Sequence, residues 1–95
     1  RRQGAFVAAR AGIIHLTRSM ALELGPKGIL VNALAVGALG QGGDRLVSHS
    51  PLKRTATAGE IGAALLFLAA PRNTYTTGHV MAVDGGWSIG YARDF

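Results

Sequence analysis

FVAARAGIIHLTRSMALELGPKGILVNALA, residues Phe6 to Ala35, reads as a helix, a stop, a turn and a strand. Phe6, Ile13, Met20 and Leu24 recur at near-helical spacing, and Ala9, Ile14 and Leu16 widen the apolar stripe. The spacing predicts a helix from Ala5 to Leu24. Gly25-Pro26 should stop it, with the glycine left-handed just past the end and the proline unable to extend the ladder. After Lys27-Gly28, residues Ile29 to Ala35 form an apolar run broken once, at Asn32. Such a run predicts a strand covered on both faces. Helix, tight turn and covered strand make the second half of a βαβ unit, so the fold class is α/β.

Outward from this stretch the pattern repeats. Gly37 to Ser50 is glycine-rich and irregular. The spacing Gly37-x-x-Gly40-x-Gly42 is superficially that of a nucleotide loop, which must open straight into an apolar helix. Gly43-Asp44-Arg45 and a polar stretch follow instead, which predicts a surface loop. Thr57-Ala58-Gly59-Glu60 has the form of a capping box. The helix it opens carries Ile61, Ala64, Leu65 and Leu68 on one face, broadened by Leu66 and Phe67, and ends at Pro71. His79 to Val83 predicts a short strand, closed by Asp84-Gly85-Gly86-Trp87. Two helices and two strands leave strand edges unpaired, so further strands are expected from a missing N-terminal portion or another chain.

Composition narrows the function classes. Ninety-five residues, opening on Arg1-Arg2-Gln3 rather than methionine, suit part of a larger domain. A chain this short buries roughly 60–65% of its unfolded surface, a thin margin. With 48% apolar and 16% charged residues it is built for a packed interior, not disorder. There is no cysteine, hence no disulfide, and His15, His49 and His79 lack ligand spacing, so no metal is expected. No run is long enough to span a bilayer and no signal-peptide pattern is visible, so the expectation is a cytoplasmic protein without a membrane partner. The net charge of +5 is scattered along the chain without interleaved aromatics, which argues against nucleic acid.

Several blocks in order resemble one family: Ala11-Gly12, Leu16 to Leu24, Gly28 to Ala33, Pro51-Leu52-Lys53-Arg54, Glu60-Ile61, Leu66 to Ala69, Tyr75 to Gly78 and Val83 to Trp87. They are similar to the C-terminal half of short-chain dehydrogenases/reductases, near the acyl-carrier-protein or acyl-CoA 3-ketoreductases. The resemblance implies residues 1–95 of a partial domain with active-site helix, sixth strand, lid loop, last helix, last strand and tail. It implies a doubly wound parallel sheet, Rossmann-like, that binds NAD or NADP at the strands' carboxyl ends. The family's phosphate loop and catalytic serine belong to its N-terminal half and are not in this sequence, so the expectation is that this chain alone does not hold the dinucleotide.

The resemblance places Phe6 and Arg10 where the family has the tyrosine and lysine of Tyr-x-x-x-Lys. In the family the phenol, with an ordinary pKa near 10, gives the proton that completes carbonyl reduction, and the lysine one turn on lowers that pKa and holds the nicotinamide ribose. Phenylalanine has no proton to give, and arginine keeps the charge but does not release its own. Arg10, Val36, Gly37, Ala38 and Leu39 occupy family cofactor positions, where Val36 to Gln41 replaces the usual Pro-Gly and threonine. The resemblance implies a lid region from Gly37 to Pro51 that is shorter than the family's by about ten residues. The expectation is therefore a degenerate, non-catalytic subunit that supports the homo- or hetero-oligomer of an NAD(P)-dependent hydroxyacyl/ketoacyl dehydrogenase, with Ile89, Tyr91 and Phe95 as tail contacts. The alternative is an active oxidoreductase on an acyl thioester with a different proton donor. Tyr75 matches a structural turn of the family and is no substitute donor.

Overall fold

The computed structural model describes residues 4–37 and 44–89; of Asp44, Arg45 and Leu46 it describes the backbone only. In chain order these residues form α1 (Gly4–Leu24), a 3-10 turn (Gly25–Lys27), β1 (Ala33–Val36), α2 (Asp44–His49), α3 (Ala58–Ala69), β2 (Val80–Val83) and a second 3-10 turn (Trp87–Ile89). The strands pair as a two-stranded sheet. Ala33 N donates to His79 O at 2.9 Å and Gly37 N to Val83 O at 3.1 Å, so partners advance together and the strands are parallel. Parallel strands require a crossover, and α3 lies in that connection. The chain divides into two compact units, Arg1–Ala33 with Pro71–Met81 and Leu34–Ala70 with Ala82–Phe95.

In the first unit α1 runs to Leu24, where the periodicity ends it. Thr17 and Ala21 are its buried residues, and the Thr17 hydroxyl donates to Ile13 O at 2.7 Å, which makes a buried threonine acceptable within a helix. The stop differs from expectation in one detail. Gly25-Pro26-Lys27 tightens into a 3-10 turn, and the left-handed residue is Gly28, φ +76, whose N–H donates to Gly25 O. Proline's fixed φ suits that turn, which moves the glycine-requiring position three residues on.

The first strand is shorter than its apolar run. Ile29 to Asn32 precede β1, and β1 is half-buried along its length instead of covered on both faces. Only β2 lies beside it among the described residues, and the Asn32 side chain intervenes before the ladder begins. Asn32 Nδ2 donates to Thr76 O at 2.9 Å, and Asn32 Oδ1 accepts from His79 N at 3.0 Å. Val31 N donates to Thr77 Oγ1 at 3.0 Å, and Gly78 N to Val31 O at 2.7 Å. The one polar residue of the run thus takes the part of a peptide unit, tying residues 31–33 to 76–79.

In the second unit the expected irregular loop contains a short helix, α2, and residues 38–43 lie outside the described part. The capping box is present in full. Glu60 N donates to Thr57 Oγ1 at 3.1 Å, and Thr57 N donates to Glu60 Oε1 at 2.9 Å. Arg54 adds a bidentate pair, Nη1 to Oε1 at 2.7 Å and Nη2 to Oε2 at 2.6 Å. The guanidinium beside it, first, and the Thr57 amide hold the Glu60 carboxyl down at about 2. Ala70 is extended, φ −63 and ψ 139, as the residue before Pro71 must be.

Ala21 is the single buried apolar side chain among the described residues. Leu66 is 73% exposed and Phe67 58%, on a helix whose only charged residue is Glu60. A helix apolar on all sides belongs inside a larger packed body. No helix of the described residues is long and apolar enough to cross a membrane.

Candidate functional site

One helical turn separates Phe6 from Arg10 on α1, so their side chains lie one above the other. The Arg10 guanidinium carbon stands 5.6 Å from the centre of the Phe6 ring. Both side chains are exposed, and such a contact contributes about 0.5–1 kcal/mol. The ring offers a π face and no exchangeable hydrogen. The guanidinium offers donors and no acceptor. The pair can attract an anion or a hydroxyl, but it contains no acid–base couple. Among the described residues the only ion pair is Arg54 with Glu60, so no carboxylate engages Arg10.

Val36 and Gly37 belong to the second unit, at the end of β1. Gly37 N donates to Val83 O at 3.1 Å and is thereby engaged in the ladder. A Cβ at Gly37 would lie 2.8 Å from both Cα and Cβ of Asp84. Close passage of the two strand ends is reason enough for glycine here. Of the positions that the family resemblance assigns to a dinucleotide, Arg10 has the donors to hold a ribose hydroxyl, and the Gly37 amide is already engaged. Ala38 and Leu39 lie outside the described residues. The structure thus brings Phe6 to Arg10 and Val36 to Gly37, each pair within its own unit.

Beyond Gly37, Asp84 organises the turn after β2. Its Oδ1 accepts from Gly86 N at 3.0 Å and its Oδ2 from Ser88 N at 3.1 Å. Burial works against the charged carboxylate, yet the hydrogen bonds from the Ser88 side chain and the Gly86 and Ser88 amides outweigh it and keep the carboxyl below its usual range.

In the first unit an open cleft of about 310 Å³ is lined by Arg18, Ala21, Leu22, Thr77 and Gly78. Arg18 is two turns of helix beyond Arg10, roughly 12 Å, so this cleft is separate from the Phe6–Arg10 pair. The sequence reading missed the cleft and the bridging role of Asn32; a lone amide in an apolar strand was the available signal for the second. Tyr75 is fully exposed, with no acid–base partner beside it among the described residues. Ile89 is 82% exposed, and Tyr91 and Phe95 lie outside the described residues. No three His, Asp or Glu side chains gather among the described residues.

A sequence model described as enoyl-(acyl carrier protein) reductase matches residues 1–88. The peroxisomal 2,4-dienoyl-CoA reductase SPS19, (3E)-enoyl-CoA-producing, of Saccharomyces cerevisiae is 37% identical over 100 aligned positions, covering 93% of this chain and 34% of its own length. The 3-oxoacyl-[acyl-carrier-protein] reductase FabG of Chlamydia muridarum is 38% identical over 90 positions, covering 85% of this chain and 36% of its own length. Among solved structures, a tyrosine-to-phenylalanine variant of ElxO with NADPH bound superposes with a TM-score of 0.79 at 29% identity, over 86% of this chain and 38% of that one. The chain therefore spans about a third of the length of the curated relatives it matches. With its parallel α/β framework and the match over residues 1–88, the chain belongs to the short-chain dehydrogenase/reductase family of oxidoreductases.

Proposed function

We propose that this chain serves as a non-catalytic subunit of an NAD(P)-dependent hydroxyacyl/ketoacyl dehydrogenase, supporting the oligomer around a competent paralogue. The Phe6–Arg10 contact carries the reading: a ring without a hydroxyl, with a guanidinium 5.6 Å from its centre, stands where the family resemblance puts the proton donor. Reduction of a carbonyl leaves an alkoxide that must be protonated, and nothing at these two positions supplies that proton at neutral pH. The test is copurification and turnover. The tagged chain should bring down a Tyr-x-x-x-Lys paralogue, and alone it should not oxidise NAD(P)H with a 3-oxoacyl thioester. A lone monomer with no such paralogue counts against the reading.

A second reading is favoured by the matched family description and by the dienoyl-CoA reductase relative. Reduction of a double bond conjugated to a thioester places the new negative charge on the thioester oxygen and the final proton on carbon. NAD(P)H, when bound, supplies the hydride. Arg10 would stabilise the enolate oxygen, and solvent would protonate the α-carbon, so no phenol is required at position 6. The ElxO variant is a family member that retains NADPH with a tyrosine replaced by phenylalanine. Turnover of a 2-enoyl thioester, with none of the 3-oxoacyl thioester, selects this reading.

A further inference from the structure

The second unit contains an interlock that neither reading uses. On one side is the turn Asp84–Trp87, held by the Asp84 carboxylate and by Trp87 N donating to Asp84 O at 3.1 Å. On the other is the segment from Ser48 to Lys53. Its Ser50 is buried, with the hydroxyl on Val47 O at 3.2 Å, and Lys53 N donates to Ser50 O at 3.2 Å. Lys53 is left-handed at φ +56, with its ammonium on Ser48 O at 2.8 Å. The two sides meet closely. Leu52 N donates to Gly85 O at 3.2 Å, and the His49 and Trp87 rings stand 6.3 Å apart, tilted at 48°. A Cβ at Gly86 would lie 2.6 Å from Pro51 Cγ and 2.8 Å from Pro51 Cδ. Those atoms belong to a stiff ring and cannot swing aside as a flexible side chain would.

We propose that residues 48–53 and the turn 84–87 form a clasp, keyed by Pro51 against Gly86, that makes the connection between α2 and α3 move as one body with the turn after β2. A segment joined only by surface hydrogen bonds frays independently of its neighbours. Here a hydrogen bond, a ring contact and a position with no room for one carbon close the same joint. Trp87 is part of the clasp and the exposed Ile89 follows directly on it.

Amide hydrogen exchange on the full chain tests this through a double-mutant cycle of Gly86→Ala and Pro51→Gly. Gly86 has φ +92, so alanine is strained there whatever its neighbours, and only the coupling between the two changes isolates the Pro51 contact. Gly86→Ala should speed exchange at the Leu52 amide at least tenfold. The Ile61 amide, bonded to Thr57 O in α3, should keep its rate. Adding Pro51→Gly to Gly86→Ala should slow Leu52 exchange again by the part that the ring contact costs, leaving the part owed to backbone strain at position 86. If Gly86→Ala does not fold, Pro51→Gly in the otherwise native chain is read instead: faster Leu52 exchange with an unchanged Ile61 rate supports the clasp, and unchanged Leu52 exchange overturns it. Equal effects of Pro51→Gly in the two backgrounds, or unchanged Leu52 exchange, also overturn it.

Discussion

Replacing Asn32 with alanine should remove two hydrogen bonds that join the chain before β1 to the chain before β2. Both are well formed, at 2.9 Å to Thr76 O and 3.0 Å from His79 N, and each contributes about 0.5–1.5 kcal/mol net. The loss should therefore be about 1–3 kcal/mol, a shift of roughly 1–3 M in a urea midpoint when m is near 1 kcal/mol/M. Asn32→Asp is the sharper probe, because it keeps the acceptor toward His79 N and puts a second oxygen against Thr76 O. At pH 7 it should cost at least as much as alanine. Below about pH 4 the acid regains a proton to donate, and part of the loss should be recovered. Urea unfolding followed by circular dichroism at pH 7 and pH 3.5 reads both. A cost below about 0.5 kcal/mol for alanine, or aspartate tolerated at pH 7, would refute the bridging role.

Other perturbations have equally definite outcomes. Thr57→Ala removes the cap of α3 and should cost about 1 kcal/mol in thermal or urea unfolding. Glu60, with its carboxyl lowered from 4.5 to about 2, stabilises the fold fully above pH 4.5. Below that the unfolded chain takes up the proton first, so the contribution fades as pH falls toward 2, and the melting-temperature gap between the native chain and Glu60→Gln should narrow over that window. Lys53 is left-handed at φ +56, so Lys53→Gly should be more stable than Lys53→Ala by about 1 kcal/mol. Phe6→Tyr should leave stability nearly unchanged, since the ring is 60% exposed. By itself it should restore no ketone reduction, and combination with Arg10→Lys in a cofactor-bound assembly is where activity would return.

Local signals were legible and non-local ones were not. The span of α1 and the capping box of α3 follow from residues within one or two turns of each other, and both stand as read. The length of β1 depends on which strands lie beside it, so an apolar run from Ile29 overstated it. A short helix at Asp44–His49 has too few residues to show a period. The left-handed residue proved to be Gly28 rather than Gly25 because Pro26 tightens the intervening turn. For the site, the Phe6–Arg10 stacking follows from spacing alone. The place of Gly37 does not: a Cβ there would lie 2.8 Å from Asp84 Cα, and that residue is 47 positions away.

The claim that this subunit lacks its own proton donor is tested most directly by NAD(P)H oxidation with a 3-oxoacyl thioester, using the purified chain in its oligomer and no paralogue. The absorbance at 340 nm should stay at the no-enzyme background, whatever the thioester concentration. Steady oxidation at an ordinary enzymatic rate, about 1 s⁻¹ or faster, would contradict it.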